Sequence, residues 1–149
     1  MPASHEFASG PERRSAWTDR VLVCGMNWLG DSVMCLPALH AFRLARPGAR
    51  IVLLVKRKLV DFWRLCPDAD EIVELPDSLF GMIRLAFRLR DIDFREALVL
   101  PNYFRSALTP FLARIPHRAG FRGHARAWML THVIEPLADP SPRHPPHPT

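Results

Sequence analysis

The residues best placed to do chemistry lie in one loop, Gly25-Met26-Asn27-Trp28-Leu29-Gly30-Asp31-Ser32, directly after a short apolar run. Its two glycines have the G-x-x-x-x-G spacing of a phosphate loop. Such a loop then needs a lysine to meet the β- and γ-phosphates, whereas this one continues with Asp31, whose carboxylate would repel them. The dinucleotide pattern G-x-G-x-x-G fails as well, because position 27 is Asn and the bulky Trp28 follows. Nicotinamide and flavin are disfavoured, and no cofactor is expected. What remains is a carboxylate held by a tight glycine turn where a strand passes into a helix, a position suited to a general base. Asp31 also reads as an N-cap accepting a hydrogen bond from the helix it opens, and the two roles are compatible.

A second concentration of chemistry lies between residues 104 and 128. It holds Arg105, Arg114, Arg118, Arg122 and Arg126 with His117 and His124, and contains no Asp or Glu. The positive field of such a stretch attracts nucleic acid, an anionic membrane surface or a phosphorylated or carboxylated ligand, and composition does not choose among them. The other polar types are less informative. Cys24, Cys35 and Cys66 form an odd set without Cys-x-x-Cys spacing in apolar surroundings, so each reads as a small packing residue. The seven histidines lack the spacing that puts two metal ligands on one face, and no metal site is expected.

These residues must be positioned by elements that alternate in type. Residues 21–25 (VLVCG) form a short continuous apolar run, as in a strand buried on both faces of a parallel sheet. Residues 31–46 then read as a helix carrying Val33, Met34, Leu36, Leu39 and Phe42 inward, with Pro37 expected to kink its first two turns. Further strands are expected at 51–55, 71–75 and 97–100, and a strand or extended loop at 115–121. Helices are expected at 58–65, 79–89, 104–113 and 125–131. The alternation predicts an α/β, Rossmann-like, open and mostly parallel sheet with helices on both faces. Ligands of such sheets bind beyond the carboxyl ends of the strands, which marks the loops 26–30, 56–58, 76–78 and 101–103.

The 149 residues, 48% hydrophobic and 23% charged with a net charge of +5, suit about one globular domain, assigned to 20–135. Residues 1–19 have loop composition, and 136–149 hold six prolines in fourteen residues; both are expected to be disordered. No apolar run approaches the roughly 18 residues of a membrane span, and the N-terminus lacks the apolar core of a secretory signal, so cytoplasmic residence is expected.

Two blocks bring a known family into view. Residues 21–39, VLVCGMNWLGDSVMCLPAL, resemble the opening of the ADP-heptose:lipopolysaccharide heptosyltransferases of the heptosyltransferase II type, with their strand, Gly-x-x-Trp-x-Gly-Asp loop and Leu-Pro-Ala-Leu helix. Residues 97–121, ALVLPNYFRSALTPFLARIPHRAGF, resemble that family's Leu-Pro-Asn-Ser-Phe-Lys-Ser-Ala-Leu segment and the Gly-Ile-Pro-x-Arg-x-Gly element that follows it; Arg122, Gly123 and Arg126 extend the likeness. The resemblance spans about 20–135. It implies the N-terminal half of a GT-B glycosyltransferase: an inverting, metal-independent enzyme transferring heptose from ADP-heptose to the lipopolysaccharide inner core.

By that likeness Asp31 is the candidate base for the acceptor hydroxyl. Asn27, Trp28, Gly30, Asn102, Arg105, Ser106, Arg118, Arg122 and Arg126 are candidates for binding an acceptor of Kdo-lipid A type, whose carboxylates and phosphates call for permanently charged donors. Arg105 is the strongest of these arginines, standing where the family pattern has Lys. Trp28 either stacks on the acceptor or, in the preferred reading, lies as a lid on the core. Arg84, Arg88 and Arg90 face either acceptor or water. No counterpart of the family's C-terminal, ADP-sugar-binding domain follows residue 135, so the chain alone is expected to be inactive unless a separate C-terminal half completes it. It is expected to work peripherally on the cytoplasmic face of the inner membrane. Two other readings stand beside this one. The first is a non-catalytic domain that binds anionic glycolipid through its basic face. The second is an RNA-binding module, since the arginines interleave with Phe104, Phe111, Phe121 and Trp128, although no RNP, KH or zinc pattern is present and no nucleic-acid partner is expected.

Overall fold

Continuous apolar runs bounded by Pro, Gly and Asp become buried strands, and the amphipathic stretches between them cross back over the sheet as helices. The computed structural model describes residues 19–123 and 125–135. The first half runs β1 (Asp19–Cys24), α1 (Leu29–Ala45), β2 (Ala49–Lys56), a single 3₁₀ turn (Arg57–Leu59) that leads into α2 (Val60–Arg64), β3 (Glu71–Leu75) and α3 (Leu79–Arg90). The second half runs β4 (Glu96–Val99), α4 (Phe104–Leu112), β5 (His117–Phe121), a second 3₁₀ turn (Ala127–Met129) and β6 (His132–Ile134). The tails at 1–18 and 136–149 and His124 lie outside the described residues.

All six strands pair in parallel in the order β3-β2-β1-β4-β5-β6. This is the doubly wound order, in which the chain starts at the centre, builds outward to one edge, returns and builds to the other. The strand period of 2 divides the core in two. Leu22, Cys24, Val52, Leu54, Ala97 and Val99 point to the face covered by α3 and α4, meeting Leu85, Leu89, Ala107 and Ile115. Val21, Val23, Ile51, Leu53 and Val55 point to the opposite face, meeting Leu39 of α1 and Trp63 of α2. Each fully buried aliphatic or aromatic side chain contributes about 1.5–3 kcal/mol, so both layers stabilise the sheet between them.

Three local readings change. The sheet is wholly parallel, because β6, absent from the sequence-based assignment, pairs parallel to β5. The helix expected at 125–131 shrinks to one 3₁₀ turn that feeds this short strand. α1 begins at Leu29 and runs unbroken through Pro37, whose ring sits on the exposed side of the helix. Its buried stripe is also rotated: Ser32 is fully buried while Val33 and Met34 face solvent, Met34 with 80% of its surface exposed. The Ser32 hydroxyl satisfies itself by donating to the Trp28 carbonyl at 2.8 Å, which lets a polar residue occupy the inward position.

Candidate functional site

The carboxyl ends of β1, β2, β3 and β4 deliver their following loops to one cavity of about 360 Å³. Asn27 and Trp28 enter from the loop after β1, and Lys56 is the last residue of β2. Pro76 and Asp77 follow β3, while Tyr103, Arg105 and Ser106 come from the loop after β4 and the first turn of α4. Met82 of α3 closes one wall. The cavity therefore spans the switch point between β1 and β4, where two successive crossovers leave on opposite faces and open a crevice.

Arg105 ties two of these loops together. Its Nη2 donates to the Asp77 carbonyl at 3.0 Å and approaches the Met82 sulfur at 3.4 Å, so the guanidinium is fixed at the cavity rim while the residue remains exposed. Lys58 contributes a second fixed cation, its ammonium 4.4 Å from the centre of the Trp28 ring. Trp28 is no lid on the core. As the residue before α1 it has an extended backbone (φ −123°, ψ 147°) that sends the indole outward, 60% exposed.

Asp31 is the third residue of α1 and not its cap; the cap position belongs to Trp28, whose side chain makes no capping bond. The N-cap reading of Asp31 therefore falls. Its carboxylate is exposed in the first helical turn, where the partial positive charge of the helix end favours an anion. It stands beside the cavity at the same end of the sheet and does not line it. One turn on, burial raises the pKa of the Cys35 thiol, and the Asp31 charge adds to that shift. The tight glycine turn is also revised. Gly30 is helical with open space where a Cβ would stand, and no described glycine has positive φ. The glycine that the geometry requires is Gly25, whose Cβ would come within 2.7 Å of Val55 Cγ1.

Arg126 is wholly buried and holds the loop after β4 from inside. One of its terminal nitrogens, Nη1, donates to the carbonyl of Pro101, with Tyr103 O at 3.4 Å and Ser106 Oγ at 3.3 Å. The other, Nη2, donates to Phe121 O at 2.7 Å and to Asn102 Oδ1 at 3.3 Å. Ser106 and Asn102 are thus engaged within the loop, Ser106 also donating to Tyr103 O at 2.5 Å. Burial lowers the Arg126 pKa, and nearby Cys24 is pushed up to about 12, chiefly by its own burial.

Arg122 lies further out, paired with Glu135 at 3.0 Å on the surface. Arg118 does not join the site. It sits near the amino end of β5 with Nε on Met129 O at 2.6 Å and Nη1 on Ile115 O at 2.5 Å, its guanidinium over the Phe111 ring. The structure brings together Asn27, Trp28, Arg105 and Ser106, assigns Arg126 and Asn102 to the loop's support, and separates Arg118. Lys56, Lys58, Asp77, Met82 and Tyr103 were not singled out in sequence, although all but Met82 lie in or directly beside the strand-end loops marked there. Among the described residues no group of three or more His, Cys, Asp or Glu side chains could hold a metal ion.

Comparison with known proteins places this geometry. No protein-family model matches the chain. The lipopolysaccharide heptosyltransferase 2 of Salmonella typhimurium is 33% identical over 116 residues, which is 74% of this chain and 33% of that protein. Its Escherichia coli K12 counterpart is 32% identical over 120 residues, or 76% of this chain and 34% of that protein. The solved E. coli ADP-heptose LPS heptosyltransferase II superposes with a TM-score of 0.71 at 30% identity, covering 80% of this chain and 35% of its own. A family 9 glycosyl transferase from Veillonella parvula superposes at 0.72 with 19% identity, covering 87% of this chain and 38% of its own, which supports the fold alone. This chain spans about a third of the length of the curated relatives it matches.

Proposed function

We propose, from the premise that this chain is a relative of the type-2 lipopolysaccharide heptosyltransferases over about a third of their length, that it forms the acceptor side of a heptose-transferring active site. The observation that carries the reading is the cavity at the β1/β4 switch point. It is lined by an exposed indole and by the cations Lys56 and Arg105, with Lys58 against the indole and Asp31 beside it. An inner-core acceptor of Kdo-lipid A type offers sugar faces to Trp28 and carboxylates or phosphates to the fixed guanidinium of Arg105. Asp31 accepts the proton of the attacking hydroxyl as the bond to the donor's leaving group breaks, the base step of an inverting displacement. The donor, ADP-heptose, binds a portion of the enzyme outside the described residues.

The same reading places the chain against an anionic membrane surface on the cytoplasmic side. α3 contains no acidic residue, exposes 77% of Phe80 and 56% of Phe87, and carries Arg84 between them, so one face offers both apolar insertion and positive charge. No helix among the described residues is long and apolar enough to cross a membrane.

The test joins this chain to the remaining part of the Salmonella relative and measures heptose transfer to a Kdo-lipid A acceptor. Asp31→Asn should lower kcat at least 100-fold with little change in acceptor binding, because an amide cannot take the proton. Arg105→Gln should weaken acceptor binding about tenfold. A fully active Asp31→Asn would remove the base from this scheme.

A further inference from the structure

At the amino end of the sheet, opposite the candidate site, α3 and α4 end and β4 and β5 begin around a second cavity of about 400 Å³. Arg90 closes α3, Arg95 precedes β4, Arg114 follows α4 and His117 opens β5, and all four line this space with one carboxylate, Asp93. None of these five side chains has a hydrogen bond or ion pair with another described residue.

Two arginines near helix carboxyl ends have an ordinary explanation, since each helix end carries about half a negative charge. That explanation accounts for Arg90 and Arg114. It does not account for Arg95 and His117, which lie at the starts of strands. The electrostatic sum also leaves a surplus. Two helix ends contribute roughly one negative charge and Asp93 a second, against three guanidiniums, so the cavity stays positive by about one charge before His117 is considered. A cavity of this size falls in the range that holds small ligands.

The backbone supplies an independent observation. Arg114 has φ 56°, one of two non-glycine residues with positive φ among those described. The position just past a helix end is where glycine is favoured, because it adopts this conformation without steric cost. An arginine kept there accepts backbone strain while its side chain lines the cavity, and strain of this kind collects at binding sites.

We propose that this cavity is an anion site for a phosphate-bearing group, held by the forked donors of Arg90, Arg95 and Arg114 with His117 completing the ring. It lies at the far end of the sheet from the transfer site and does not depend on that reading. The ligand's phosphate is either that of a soluble molecule or that of a lipid headgroup.

The test uses the full chain at fixed ionic strength, with titration calorimetry against pyrophosphate and flotation with vesicles of phosphatidylcholine with or without phosphatidic acid. The wild type should bind at least one phosphate probe. Pyrophosphate binding assigns a soluble ligand, and binding only to phosphatidic acid vesicles assigns a headgroup. Arg95→Gln and Arg114→Gly should each weaken binding at least tenfold, whereas Arg64→Gln, which removes an exposed arginine paired with Asp61, should leave it unchanged. Arg114→Gly should bind poorly while its thermal midpoint stays equal or rises, since glycine relieves the strain; a merely structural arginine would not separate the two readouts. The proposal is overturned if the wild type binds neither probe, if Arg95→Gln and Arg114→Gly bind as the wild type does, or if Arg64→Gln weakens binding as much as they do.

Discussion

Replacing Arg126, which does not itself line the cavity, should damage the site by releasing the loop that presents Tyr103 and Ser106 to it. The guanidinium is buried, donates to the carbonyls of Pro101 and Phe121, and has three longer contacts at 3.3–3.4 Å. A hydrogen bond from a charged donor contributes about 1.5–3 kcal/mol, and a buried carbonyl left without a partner costs about 1–3 kcal/mol. Against this stands the desolvation of the guanidinium itself, several kcal/mol that Arg126→Ala recovers. With two strong bonds lost and a cavity left behind, a net destabilisation of about 3 kcal/mol is expected, a large share of the 5–15 kcal/mol typical of a domain. Urea unfolding reads this as a midpoint lowered by about 1.5 M at an m value of about 2 kcal/mol/M. Arg126→Lys should recover only part of the loss, because a single ammonium cannot serve carbonyls on both sides as a planar fork does. Hydrogen exchange should quicken first at 101–106, where the Ser106 amide bonds to Tyr103 O at 3.2 Å. An Arg126→Ala midpoint unchanged from wild type, with exchange in that loop unaltered, would refute the clamp and show that its bonds do no more than offset its burial.

Three further outcomes are expected. Gly25→Ala should lose about 1–3 kcal/mol in urea unfolding, since its Cβ would meet Val55 Cγ1 at 2.7 Å on a packed strand. Gly30→Ala should gain about 0.5–1 kcal/mol because the new methyl meets open space in a helix. Stability should fall as pH rises from about 9 towards 12, because the Cys24 thiol, pushed up from 9.0 to about 12, keeps its proton in the folded chain after the unfolded chain has released it. The slope from this group approaches about 1.4 kcal/mol per pH unit, and pH-dependent unfolding of Cys24→Ala should be flatter than wild type by that amount.

The sheet was legible because its signal is local and repeated. Ile51, Val52, Leu53, Leu54 and Val55 cannot alternate between core and solvent, so a run of this kind must be buried on both faces, and helical stretches between such runs leave little choice but parallel crossovers. β6 was not legible for the opposite reason. His132, Val133 and Ile134 form a three-residue edge strand with only Val133 partly packed, and its existence depends on pairing with β5. The start of α1 was misplaced by two residues because Asp31 looks like a cap in sequence. The helix is instead capped by nothing from Trp28, and the Ser32 hydroxyl turns inward to the Trp28 carbonyl.

The site was legible to the level of which loops, and among the arginines only Arg105 was placed correctly; the reason the others were not lies in donor arithmetic. A guanidinium has five N–H donors, and sequence gives no account of how many are consumed inside the protein. Arg105 stands out through its place in the family motif, whereas Arg118 and Arg126 read in sequence as acceptor-binding arginines of the same kind. Arg126 spends its terminal nitrogens on five internal acceptors and Arg118 spends Nε and Nη1 on Met129 O and Ile115 O, whereas Arg105 keeps one carbonyl contact and remains exposed at the cavity. What separates them is which backbone carbonyls lie within reach of each guanidinium. Pro101 and Tyr103 lie between β4 and α4 and Phe121 ends β5, and Arg126 turns inward to donate to the carbonyls of Pro101 and Phe121. A basic stretch beside such a loop therefore divides into arginines that build the site and those left to bind at it, and the division follows the backbone acceptors more than the charge.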